Sequence, residues 1–154
     1  MIEVVPATMA QVHAIDLREG DAREIAALGV GKSEALAATL ARSLWADAYL
    51  VTDDKGSGEV AALMGLILSS LVGGVAMPWL MTGAPVERHR RAFLQLTRAR
   101  TREMLARHGT LVCNVHADYA RSIRWLRWLG FDLGAARPIG PLGALFHEAT
   151  LRSP

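Results

Sequence analysis

Val112-Cys113-Asn114-Val115-His116-Ala117-Asp118-Tyr119-Ala120-Arg121-Ser122-Ile123-Arg124-Trp125-Leu126-Arg127-Trp128-Leu129-Gly130-Phe131 is the stretch whose reading decides the fold. Thr110 to Val115 is rich in β-branched and apolar residues and reads as a strand. Asp118 is placed to cap a helix that carries Ile123, Trp125, Leu126 and Leu129. Gly130 ends that helix in a left-handed conformation, and Phe131 returns the chain to the core.

Upstream, the residues from Val86 to His108 place Leu94, Thr97, Thr101 and Leu105 on one stripe among arginines, which reads as one long helix stopped by Gly109. Val75 to Thr82 reads as a strand covered on both faces, with Pro78 implying a local bulge or splay. Before it, Ala48 to Thr52, the turn Asp53-Asp54-Lys55-Gly56-Ser57-Gly58 and Val60 to Leu68 form a hairpin. Ser33 opens a helix with Leu36, Leu40 and Leu44 on its core face, ending near Trp45. Leu17 to Glu24 is dense in charge and interrupted by Gly20, and reads as an exposed bend before a short helical piece at Ile25-Ala26-Ala27-Leu28. Ile2 to Val5 is a first strand, and Thr8 caps a helix from Met9 to about Leu17. Downstream, Gly134 to Gly143 reads as a loop and Ala144 to Leu151 as a last strand. The order is β-α-α-β-β-β-α-β-α-β-β, an α/β pattern with a hairpin meander in its middle.

The 154 residues fit one domain, and a 51% hydrophobic share builds a sizeable core. The net charge is only +2, yet seven arginines fall between Arg88 and Arg107. Cys113 is the one cysteine, so an internal disulfide is excluded and a buried, reduced thiol is expected. The start of the chain lacks a secretory pattern, which points to a cytoplasmic setting. Val60 to Val86 carries no charge and is long enough to span a bilayer, but Ser69-Ser70-Leu71-Val72-Gly73-Gly74 and Pro78 break a helix and suit two strands joined by a turn. The five histidines and one cysteine show no metal-ligand spacing, so no metal is expected.

The element order, together with the strand, helix and Leu129-Gly130-Phe131 ending, resembles the GNAT superfamily of acetyl-CoA-dependent N-acyltransferases. More narrowly, Pro78-Trp79-Leu80-Met81-Thr82-Gly83 and Ile123 to Phe131 resemble GNAT-like internal virion proteins of tailed phages. The resemblance implies one domain over residues 1–154, with a mixed twisted sheet of about six to seven strands flanked by about four helices. It implies acetyl-CoA, or another acyl-CoA, held along Leu80, Met81 and Thr82 through main-chain groups. Two departures concern chemistry. The glycine-rich loop that receives the cofactor's diphosphate is replaced by Val86-Glu87-Arg88-His89-Arg90-Arg91-Ala92, so Arg88, Arg90 and Arg91 are the phosphate candidates. Leu126 stands where many members carry a catalytic tyrosine, and the strand Val75 to Thr82 has no carboxylate to act as base.

His116 and Tyr119, at the end of a strand where α/β sheets place ligand-facing groups, are the catalytic candidates. Arg18, Asp21 and Glu24 are candidates for orienting an amine acceptor, whether a small molecule or a protein. Three functions follow: an acetyl transfer directly to an amine, a non-catalytic phage virion or assembly protein on the same scaffold, and a basic nucleic-acid-binding accessory protein. The setting would be a bacterial cytoplasm or a virion, with a second copy of the chain or a virion component as protein partner. A V-shaped opening between the strands at Met81 and Val112 is the structural mark that would favour the first.

Overall fold

Ile2–Pro6 (β1) opens the computed structural model, which describes residues 1–69 and 73–154. Met9–Ala14 (α1), Glu19–Ala27 (α2) and Lys32–Arg42 (α3) follow. Trp45–Asp53 (β2), Gly56–Leu68 (β3) and Val75–Thr82 (β4) form an antiparallel meander. A 3-10 turn over Ala84–Arg88 leads into Arg90–His108 (α4), Thr110–His116 (β5) and Ala120–Leu129 (α5). Asp132–Leu133 (β6), Arg137–Ile139 (β7) and Ala144–Arg152 (β8) complete one mixed sheet of eight strands in the order β1-β2-β3-β4-β5-β8-β6, with β7 also on β8. The α/β class is as expected, with a further short strand.

The uncharged stretch is β3 and β4, paired from Ala62↔Thr82 to Leu68↔Ala76. The expected turn between them falls partly on residues 70–72, outside the described residues. No described helix is long and apolar enough to cross a membrane. Charge is absent because both faces of β3 are covered, leaving Val60 to Ile67 buried without a break. On one face α1, α2 and α3 pack Val12, Ile15, Ile25 and Leu36 against Ala48, Val60 and Leu63. On the other, α4 and α5 pack Phe93, Met104 and Leu126 against Met64, Leu66, Leu111 and Val115. Each such side chain contributes about 1.5–3 kcal/mol on burial.

Several local expectations are corrected. The exposed bend at Leu17 to Glu24 is mostly helix: α2 starts at Glu19 and runs through Gly20. The glycine serves packing there, since a Cβ on Gly20 would lie 2.3 Å from Cε1 of Tyr119. The first helix stops at Ala14 because Leu17 turns extended to bridge Gly83. Gly31 rather than Ser33 is the N-cap of α3, and Leu44 lies outside that helix and is exposed. The long helix from Val86 is broken at His89 (φ −128°, ψ 32°), and α4 buries Phe93, Thr97, Thr101 and Met104, so the stripe keeps its middle and shifts by one residue at each end. Tyr119, not Asp118, occupies the N-cap of α5. Within the expected loop Gly134 to Gly143, Arg137 to Ile139 pair with β8. Gly130 does end α5 at φ 104°, and Phe131 is buried.

Gly20→Ala tests the packing role. On propensity alone alanine would favour the helix by about 0.8–1 kcal/mol. Against the Tyr119 ring we expect the opposite sign, a loss of about 1–3 kcal/mol in urea unfolding, and a gain once Tyr119→Ala removes the ring.

Candidate active site

Strands β4 and β5 run parallel and pair only at Val75↔Thr110 and Ala76↔Leu111. Beyond Ala76 they part, which is the V-shaped opening that the sequence posed as a question. The ladder to β3 fixes what β4 offers to the gap. Ser69 donates to the Val75 carbonyl and Gly83 to the Ala61 carbonyl, so residues 75, 77, 79, 81 and 83 direct their amides at β3, and 76, 78, 80 and 82 direct theirs at the opening. Pro78 has no N–H to give. The Thr82 carbonyl accepts from the Arg18 N–H at 2.9 Å, and its N–H donates to Asp21 Oδ2 at 3.3 Å. Leu80 is left with an N–H and a carbonyl on the open edge and no strand partner. Met81, by the same alternation, spends its amide on Leu63.

Two cavities meet at this edge. The larger, about 350 Å³, has Arg18, Asp21, Thr82 and Tyr119 at one end and Arg90, Leu94 and Trp128 at the other. The smaller, about 190 Å³, lies between the parted strands and is walled mainly by methionine, leucine and tryptophan side chains, with Glu24 also in its lining. Leu80, Ser122 and Trp125 line both. The indole Nε1 of Trp125 is buried with no hydrogen-bond partner, a donor left over at the junction.

Asp21 organises the polar end. Its Oδ2 accepts from the Thr82 hydroxyl and from the Tyr119 hydroxyl at 3.1 Å, while Arg18 Nε donates to Thr82 Oγ1 at 2.8 Å. Burial pushes the Asp21 carboxyl up, against the hydrogen bonds and the Arg18 charge that pull it down. Burial, then the Asp21 charge, pushes the Tyr119 phenol up to about 12, so it stays protonated. Arg18 also pairs with Glu87 at 2.7 Å, and Arg121 joins the same carboxylate. One turn along α2 from Asp21, Glu24 accepts from the His116 backbone N–H at 3.2 Å. Burial raises its carboxyl to about 7, with the nearby Asp21 adding to the shift.

The structure thus brings together Arg18, Asp21, Glu24, Leu80, Thr82, Tyr119 and Arg90. Met81 lines the smaller cavity by its side chain. Arg91 sits on an outer groove with Arg90, Arg98 and Trp128. His116 lines neither of the two inner cavities and stacks its ring near Phe146, with centroids 5.2 Å apart. Arg88 faces the β2–β3 hairpin, where Asp53 at 3.0 Å and Glu59 hold it. His89, at 2.7 Å from the same Asp53 Oδ2, and then Arg88 hold that carboxyl well below the usual carboxylate range. Trp125 and Ser122 escaped the sequence reading. Trp125 belongs to the apolar set of its helix, and only the parting of the strands turns it toward a cavity.

Three solved structures overlay almost the whole chain. Ard1 from Thermoplasma volcanium matches at a TM-score of 0.70 and 15% identity, covering 99% of this chain and 98% of its own. An N-acetyltransferase from Staphylococcus aureus matches at 0.63 and 13%, covering 99% and 98%. A GNAT superfamily phosphinothricin acetyltransferase from Sinorhizobium meliloti, in complex with AcCoA, matches at 0.61 and 12%, covering 98% and 88%. The fold is that of the GNAT acetyltransferases. No family model matches the chain, and no curated protein does. The opening between β4 and β5 lies beside Leu80, Met81 and Thr82, along which the resemblance implies an acyl-CoA. The residues present fit an acyl-CoA: an unpaired strand edge at Leu80, an orphaned buried donor on Trp125, and first-turn N–H groups of α4 at Arg90, Arg91 and Ala92 beside the Arg90 and Arg91 guanidinium groups, which have no acid partner among the described residues.

Glu24 gives a stability test. Its folded pKa lies above the ordinary value of 4.5, so the folded state holds a proton that the unfolded state releases, and stability falls as pH rises from about 4.5 to about 7. The full shift corresponds to at most about 3 kcal/mol. E24Q keeps an acceptor for the His116 N–H, and we expect it to match the parent near pH 4 and exceed it by up to that amount at pH 8 in urea unfolding.

Proposed function

We propose that the protein is an acyltransferase that passes the acyl group of an acyl-CoA, acetyl-CoA in the simplest case, directly to a primary amine. The observation that carries this reading is the parting of β4 from β5 after two paired residues, which leaves the Leu80 amide exposed on a cleft. Arg90 and Arg91, at the start of α4, hold the diphosphate through charge and the first-turn N–H groups, where other members of the resemblance use glycines. Bound there, an acyl-CoA supplies an activated thioester carbonyl.

The chain's own groups divide the remaining work. The Leu80 N–H lies along the cleft edge and polarises the carbonyl, with the Trp125 indole N–H as the second donor. Glu24, in the lining of the smaller cavity, takes the proton from the acceptor ammonium, so that the free amine forms the new C–N bond as the C–S bond breaks. The departing thiolate takes up the second proton of the attacking nitrogen, relayed by water at the open mouth, and the Glu24 proton leaves to solvent. Tyr119 does not exchange a proton in this scheme: its phenol stays protonated and, with Asp21 and Arg18, shapes the acceptor's approach. His116 contributes its backbone N–H, which fixes the Glu24 carboxylate. The comparisons hold nothing on virion proteins, and the assembly reading gains no support from them.

Calorimetry with acetyl-CoA tests the reading first. We expect binding that weakens about tenfold or more in Arg90→Ala and is weakened by salt; no binding at millimolar cofactor sinks the proposal. The second test is the pH profile of thiol release over a panel of primary amines. The rate should rise through about pH 7 as Glu24 ionises and then level off. In E24Q we expect a loss of about 10²–10⁴-fold and no inflection there.

A further inference from the structure

The smaller cavity is larger and more apolar than an acetyl group requires. Its volume is about 190 Å³, and Met64, Met77, Met81, Leu126 and Leu129 supply much of its wall. An apolar cavity of about 150 Å³ in a protein core holds benzene, a six-carbon guest. The cavity opens from the same edge, at Leu80, Ser122 and Trp125, that the larger one reaches from the arginine side. Leu126, buried on α5, extends the apolar wall at the position where the resemblance places a hydroxyl. Cys113 adds no reactive group, since burial pushes its thiol up to about 12.

We propose that the donor is an acyl-CoA longer than acetyl, with an unbranched chain of about four to six carbons seated in the cavity between the parted strands. This rests on the donor reading above and narrows it. A thioester drawn along the Leu80 edge with its phosphates at Arg90 has its acyl end at the junction, and the apolar space lies directly beyond. Glu24 lines the same cavity, and its carboxyl is held by the His116 backbone N–H.

The proposal is tested by calorimetric titration of CoA, acetyl-CoA, butyryl-CoA, hexanoyl-CoA and decanoyl-CoA into the full chain. Each methylene buried in an apolar site is worth about threefold to fourfold in affinity. Butyryl-CoA should therefore bind about tenfold more tightly than acetyl-CoA, hexanoyl-CoA more tightly still, and decanoyl-CoA should lose the gain. Leu129→Phe, and independently Met77→Phe, should remove the gain for hexanoyl-CoA while leaving CoA itself within about twofold. Affinities that are flat or fall from acetyl to hexanoyl overturn the chain-length proposal and leave the donor reading standing. Failure of CoA and every thioester to bind overturns both.

Discussion

The parallel contact between β4 and β5 is two residues long, and the architecture of the site follows from that brevity. A strand in the middle of a sheet ordinarily satisfies its backbone on both sides. Here β4 keeps its full ladder with β3 and gives up the other side after Ala76. The released groups have separate fates. Pro78 offers a carbonyl but no donor, Thr82 is satisfied by Arg18 and Asp21, and Leu80 leaves both its N–H and its carbonyl on the open edge. The sheet stays continuous because β5 is held on its far side by β8 over seven residues, from Thr110↔Arg152 to His116↔Phe146. The gap is thus a feature of a rigid frame.

Around that gap the charges sort themselves by partner. Arg88 and Arg100 lie on the same arginine-rich segment as Arg90 and Arg91, yet each is taken by acids on β2, Arg88 by Asp53 and Arg100 by Asp47 at 2.9 Å. Arg100 also lies over the Trp45 ring at 4.1 Å. These pairs fasten the segment to β2 and leave Arg90 on the larger cavity, with Arg91 beside it on the outer groove. Arg90 and Arg91 have no acid partner among the described residues and stand where the helix N-terminus already favours an anion.

Much of the fold was legible because it rests on local rules. The Gly130 stop, the meander and the helix that buries Thr97 and Thr101 each follow from periodicity or from a residue with one conformational preference. What escaped depends on contacts between distant residues. Gly20 reads as a breaker until the Tyr119 ring, far along the chain, is seen against it. Arg88 and Arg90 are alike in sequence, and only the position of Asp53 separates them. The candidate site was legible in its cast more than in its roles. Glu24 appears among charged residues of an apparent surface bend, and its burial, which gives the carboxyl a neutral-range pKa, comes from the packing of α2 over β5. Trp125 carries no signal at all, since an indole on an apolar stripe reads as core.

The contact of Gly20 with Tyr119 reaches beyond packing. It joins the first turn of α2, which carries the acid groups, to the start of α5, whose Ser122 and Trp125 line the donor side. With no side chain between them and with Asp21 tied to the Tyr119 hydroxyl, the two helices are joined directly across the end of the cleft. The position of α5 thereby sets the position of Asp21 directly, through one hydroxyl and one ring rather than through the sheet.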